Sequence, residues 1–343
     1  MSTIYCWVPA PGHKYPDHPE RPERLTELET RLPSIHAERV DVSPAARDEI
    51  ARVHTKKMIE GVEAACAEGG GIIDYAPTYV TRTSFEDALL AAGGTLKCTR
   101  SVWAGEAANA FALVRPPGHH SEPSRAMGFC VFNNIAIAAL DLLERGAKRL
   151  LVVDYDAHHG NGTQAAFWNN ERLAYLSTHQ WGIYPGSGRM DEAPHAKGRI
   201  VNVPLPAYAG DRCFAQITEK VMVPMVRAFR PEMLLVSAGF DSHWSDPITG
   251  LGLSSAGFSR ISKHLVELAQ DFCGGKIVFV LEGGYDPLNV ANGASATFAA
   301  MRGEPFVNPR DKSPYAEPDI GKMIESICGW NGFARERDPQ TSF

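Results

Sequence analysis

The segment "LLVVDYDAHHGNGT", residues 150–163, ends an apolar run in Asp154, Asp156, His158, His159 and Asn161. A D-x-H pair such as Asp156 and His158 can turn one carboxylate and one imidazole toward a common point, and a carboxylate from another strand end can complete a metal site. Asp241, in "SAGFDSHWSDP", is the candidate third ligand. Three protein ligands leave a position for water, where a divalent metal lowers the pKa of that water or polarises a carbonyl. Alone the pair is ordinary, because strand-end aspartates commonly cap helices and turns.

His119 and His120 lie in "RPPGHH", where Pro116 and Pro117 stiffen the approach and Gly118 lets the backbone turn. Following a buried strand and facing a second acidic strand end, they are candidates for general acid and base. Asp154 and Asn161 are candidates to fix their rings by accepting a ring N–H. Tyr285 follows Gly283 and Gly284. A phenol turned into the crevice there can donate to a developing oxyanion, although a lone aromatic at a strand end is more often core. Phe129 after Gly128, and Tyr184 before Pro185, are candidate walls of an apolar slot. His159, His179 and His243 read as structural or rim residues, with His243 the one expected nearest a ligand.

Positioning these groups falls to a series of apolar runs: residues 111–114, 149–155, 173–179, 200–205, 233–240 and 276–284. Helix-length amphipathic segments separate them, among them "FEDALLAAGGTLKCTRSVW", "NIAIAALDLLERG", "CFAQITEKVMVPMVRAF" and "SRISKHLVELAQDF". Near-continuous Val/Ile/Leu strands alternating with helices predict an α/β fold, a mainly parallel open sheet covered on both faces. Every chemical motif follows one of these runs. Open α/β sheets bind ligands outside the carboxyl ends of their strands, so separate segments converge on one crevice.

The bulk properties narrow the classes. The 343 residues are 44% hydrophobic and 22% charged, and are read as a single domain, 1–343. A net charge of −6 gives no footprint for nucleic acid or an anionic membrane. Seven scattered cysteines without CxxC spacing argue against a disulfide framework and a thiolate zinc site. With no signal segment or membrane-span pattern, the expected place is the cytoplasm. The Pro-rich residues 304–343 form a C-terminal extension of unknown role, expected to wrap the domain or meet another subunit, which leaves a homo-oligomer open.

In this order, "RPPGHH", "GFCVFNN", "VVDYDAHHGNGT", "SAGFDSHWSDP" and "LEGGYD" resemble the histone deacetylase family in its broad sense, which includes bacterial deacetylase-like amidohydrolases and acetylpolyamine amidohydrolases. "HPERPERL" at 18–25 and "VHTKKMI" at 53–59 extend the resemblance, which covers about residues 18–300. It implies a three-layer αβα sheet of the arginase/deacetylase type and removal of an acyl group from a lysine, polyamine or other primary amine.

By the same resemblance, one zinc per chain sits on Asp156, His158 and Asp241, a donor set that also suits ferrous iron. His120 is the base, His119 its electrostatic neighbour, and Tyr285 polarises the amide carbonyl. Asp154 partners His119, and Asn161 partners His120. A structural potassium ion is held around Asp154, Asp156, His158 and Ser177, mainly by backbone carbonyls. Gly128, Phe129, Tyr184 and Ile248 fall at substrate-tunnel positions. Tyr184 stands where many relatives have phenylalanine, and Ile248 where one polyamine-selective branch has glutamate.

Two rivals are weighed against this. Arginase-like ureohydrolases share the fold type and a D-A-H strand end, but they need two further aspartates where this chain has Gly160 and His243. A catalytically silent acyl-lysine-binding module would be suggested by loss of Tyr285, His120 or a ligand aspartate, and all are present.

Overall fold

The computed structural model describes residues 1–306, 308 and 311–333. Among the described residues ten strands follow in chain order: β1 (Thr3–Val8), β2 (Glu38–Arg39), β3 (Gly71–Ile72), β4 (Tyr79–Val80), β5 (Asn109–Val114), β6 (Leu150–Asp154), β7 (Leu173–Gln180), β8 (Ile200–Leu205), β9 (Met233–Ala238) and β10 (Ile277–Leu281). Eight form one sheet in the order β2-β1-β5-β10-β9-β6-β7-β8, with every pairing parallel. β3 and β4 make a separate antiparallel hairpin.

Alternation along the strands divides the core in two. Phe111, Leu113, Leu151 and Val153 point to one face, where they pack with side chains of the helices Asp211–Ile217, Val223–Phe229, Ser255–Cys273 and Pro287–Arg302. Ala110, Ala112, Leu150 and Val152 point to the other, against Lys56–Ala67, Ser84–Trp103 and Asn134–Glu144. This is the three-layer αβα arrangement expected when apolar runs are buried on both sides. The sequence reading lacked β1, whose six residues include an aromatic pair and a cysteine in place of a Val/Ile/Leu run.

Local signals fix where the strand-end loops stop. Asn133 accepts from the Ala136 amide and starts one helix, Ser254 accepts from Gly257, and Asp286 accepts from Asn289 with Pro287 in the first turn. The segment expected as one helix over 213–229 runs through Asp211–Ile217 and Val223–Phe229, with a wide turn at Thr218–Met222 between them. In the C-terminal extension, Ile320, Ile324 and Ile327 are buried in the first core, so this part wraps the domain. No helix among the described residues is long and apolar enough to cross a membrane.

Candidate active site

β5, β10, β9 and β6 are consecutive neighbours in the sheet, so the loops leaving their carboxyl ends meet. They bring His119 and His120, Glu282 and Tyr285, Asp241, and Asp156 and His158 to one place.

Ligand atoms of Asp156, His158 and Asp241 all lie within 4.8 Å of one another. Nδ1 of His158 is 3.2 Å from Asp156 Oδ1 and 3.0 Å from Asp241 Oδ2. The outer lone pairs of the carboxylates are taken by backbone amides: Asp156 accepts from His158 and Gly283, Asp241 from Ala157. Both carboxylates are fully buried. Two such anions are tenable side by side only around a shared cation, and the imidazole proton fills that role when no metal does. Burial opposes charge on His158, yet the two carboxylates outweigh it and hold its pKa at about 10. A Cβ on Gly283 would collide with both carboxylates, so glycine is what lets the phenol loop approach them. The donor set and its close enclosure fit a divalent metal.

The two adjacent histidines are tuned in opposite directions. Nδ1 of His119 donates to Asp154 Oδ2 at 3.1 Å, and the Tyr175 hydroxyl donates to the same oxygen. Burial works against protonation of His119, but Asp156 and Asp154 prevail and raise its pKa to about 10. His120 faces a neutral partner, Asn161 Oδ1, at 2.8 Å. Burial, then the neighbouring His119 and His158, push its pKa well below the ordinary histidine value. The Asn161 amide nitrogen donates to Glu122, which fixes the amide's orientation. Nδ1 of His120 is therefore the protonated nitrogen, and Nε2 carries the free lone pair.

The Tyr285 ring is half-buried, with the Arg24 guanidinium 4.9 Å from its centre and the Phe129 ring edge-on at 5.9 Å. Arg24 donates to the carbonyls of Glu282 and Gly284 and is itself held by Glu20, which also binds Arg115 through two oxygens. Asp246 accepts from the Tyr285 amide at 2.9 Å. Glu282 accepts from the amides of Gly118 and His119, so the phenol loop also orients the histidine pair. Burial raises its carboxyl pKa to about 7. None of Arg24, Glu20, Arg115, Asp246 or Glu282 stood out in the sequence as a site residue. "HPERPERL" and "LEGGYD" contained three of them, but the partners lie up to 260 positions apart.

Among the tunnel candidates, Gly128 takes φ +60° and packs its α-carbon against the His120 ring, where a Cβ would clash. Tyr184 stands edge-on to His120 at 5.0 Å. Phe129 and Tyr184 therefore flank the histidines and the phenol. Ile248 is 40% exposed on the loop after β9, at the rim. Asp154 and Ser177 are direct partners across β6 and β7. His243, read as a structural or rim residue, is only 2% exposed and bonds to Ser245 and Asp311. Cys6, Cys66, Cys98, Cys130, Cys213 and Cys273 are free, buried thiols.

Fold and site together define a class: a three-layer α/β enzyme with its acid–base side chains at the carboxyl edge of a parallel sheet. The histone deacetylase domain family matches residues 18–301, and the chain belongs to that family, as a hydrolase acting on amide bonds. It is 39% identical to "Histone deacetylase 10, chloroplastic" of Oryza sativa subsp. japonica, over 94% of this chain and 79% of the relative. A "Probable deacetylase" of Archaeoglobus fulgidus is 40% identical over 79% of this chain and 77% of its own length. The crystal structure of the HDA15 HD domain superposes with a TM-score of 0.87 at 32% identity, covering 96% of this chain and 94% of that one.

Proposed function

We propose that the chain is a single catalytic domain that hydrolyses N-acyl amides of primary amines, with Asp156, His158 and Asp241 holding one zinc or ferrous ion. Bound there, the metal supplies a Lewis acid that acidifies water and polarises the acyl oxygen. The observation that carries this reading is the contrast between the two histidines beside the ligand set. His120, neutral with a free Nε2, accepts the proton of the attacking water. His119, with Nδ1 bonded to the Asp154 carboxylate, stabilises the negative charge that accumulates and supports protonation of the leaving amine. Tyr285 donates its hydroxyl to the acyl oxygen as charge develops on it. Phe129 and Tyr184 exclude water from the acyl chain, and the backbone around Asp154, Asp156, His158 and Ser177 offers carbonyls to a potassium ion. An acyl-lysine or an acylated polyamine meets the same chemistry, and the apolar Ile248 at the rim favours substrates without extra positive charge.

The test is hydrolysis by metal-reconstituted protein of acetyl-lysine peptide, trifluoroacetyl-lysine peptide, N-acetylputrescine, N8-acetylspermidine and arginine, each with and without a hydroxamate chelator. Hydroxamate-sensitive acyl release is expected, with peptide ahead of polyamine. Arginine turnover would overturn the reading in favour of a ureohydrolase, and a metal-loaded chain that releases no acyl group would leave a binding module.

A further inference from the structure

Residues beyond 301 lie outside the family match, yet Asp311 reaches the catalytic loops. Its carboxylate is 9% exposed. Both oxygens are 3.1 Å from Nε2 of His243, and one also accepts from the Trp244 indole at 2.6 Å while the other accepts from the Ser255 amide at 2.6 Å. These three partners span the loop between β9 and the helix Ser255–Cys273, whose first residues include Asp241.

From His243 the connection continues inward. The His243 carbonyl accepts from the Asp246 amide at 3.0 Å, and Asp246 then accepts from the amides of Ile248 and Tyr285. Ser245, bonded to His243, also accepts from Asn289 in the helix that follows Tyr285. Asp311 thus closes a partly buried hydrogen-bond chain that ends on the backbone of the phenol. A half-buried carboxylate with this many donors is not a surface accident, because each donor would lose its partner if it moved away.

We propose that Asp311 is a positioning residue: the described residues 311–333 of the C-terminal extension act as a strap that holds the loop after β9 so that Asp246 keeps Tyr285 aimed at the acyl oxygen. This rests on the reading of Tyr285 given above. A misplacement of about 1 Å at a catalytic group is enough to slow turnover by one to two orders of magnitude. The strap therefore acts on kcat more than on substrate affinity.

The experiment is a double-mutant cycle between Asp311→Ala and Tyr285→Phe on the metal-loaded full chain, with kcat, KM and metal content measured for each member. Asp311→Ala is expected to lower kcat roughly tenfold with KM and metal content retained. In the Tyr285→Phe background the same change is expected to add little, because the phenol it aims is already gone. Asp311→Asn, which keeps one acceptor oxygen, recovers part of the loss and replaces the alanine variant if that one does not fold. Lys197→Ala, which removes the cation stacked on Trp330 near the end of the described residues, leaves kcat unchanged. Wild-type kcat in both Asp311 variants, a full multiplicative loss in the cycle, or an equal loss in Lys197→Ala would each overturn the strap. A metal-loaded wild type without acyl hydrolysis would instead sink the reaction reading beneath it.

Discussion

Asn161 turns its carbonyl oxygen, not its amide nitrogen, toward Nδ1 of His120, and Glu122 fixes that choice by accepting from the amide. The partner of the proposed base is therefore neutral, while His119, one residue earlier, has the carboxylate of Asp154. Burial lowers the pKa of His120, so the group is deprotonated through the neutral range. The sign of a change follows directly. Asn161→Asp stabilises the imidazolium, raises the His120 pKa, and moves the acid limb of the kcat/KM profile upward by about one pH unit. Profiles of the two proteins between pH 4 and about 9 check this; an unmoved limb would separate Asn161 from the base.

Tyr285→Phe is expected to reduce turnover by roughly 10²-fold or more, as for loss of an oxyanion donor, while metal content stays at the wild-type level. Steady-state kinetics beside elemental analysis of the same preparation decide it. Turnover within twofold of wild type would remove the phenol from the reaction.

Asp241→Ala leaves only Asp156 and His158 of the proposed ligand set, and the purified variant is expected to hold little metal. Because bound metal stabilises only the folded chain, chelation should lower the Tm of the wild type and leave that of the variant nearly unchanged. A full metal complement in the variant would exclude Asp241 from the ligand set.

Glu20, Arg24 and Arg115 form a fully buried ion cluster under the phenol loop. Burial opposes the Glu20 charge, but Arg115 and His13 prevail and hold its carboxyl well below the usual range. Its folded pKa is lower than its unfolded one, so the stabilisation is complete above the unfolded value near ~4.3 and is lost as pH falls through the folded value. Arg115→Met leaves the carboxylate with Arg24 and His13 alone and should destabilise the fold by about 3 kcal/mol at neutral pH. Urea unfolding at two pH values measures both effects: the gap between wild type and variant should narrow in acid.

Much of the architecture was legible because buried parallel strands are written as continuous apolar runs, as in "LLVV" and "IVFVL", and because chemistry gathers where those runs stop. Asp156, His158, Asp241, His119, His120 and Tyr285 were found that way, and the sheet order explains why they meet. β1 escaped because "TIYCWV" mixes an aromatic pair and a thiol with only two aliphatic residues. The groups that hold the site in place escaped for a different reason. Arg24, Arg115 and Asp311 carry ordinary surface-type side chains, and only the folded distances reveal that their partners are carboxylates, carbonyls and ring nitrogens rather than water. His243, read as a structural or rim residue, does have a structural partner, but that partner, Asp311, lies 68 positions away and could not be named from the sequence.

β10 is the last strand of the sheet to be synthesised, yet it lies between β5 and β9 in its middle. Until it emerges, a growing chain has two unpaired inner strand edges and no Glu282 to hold the amides before His120. The halves that precede it, β1–β2–β5 and β6–β7–β8–β9, are joined by no strand pairing of their own. A ribosome-bound chain that stops short of residue 277 is therefore a molecule in two unclosed parts, and about the final fifth of translation is when the two halves of the sheet, the histidine pair and the phenol come into register together.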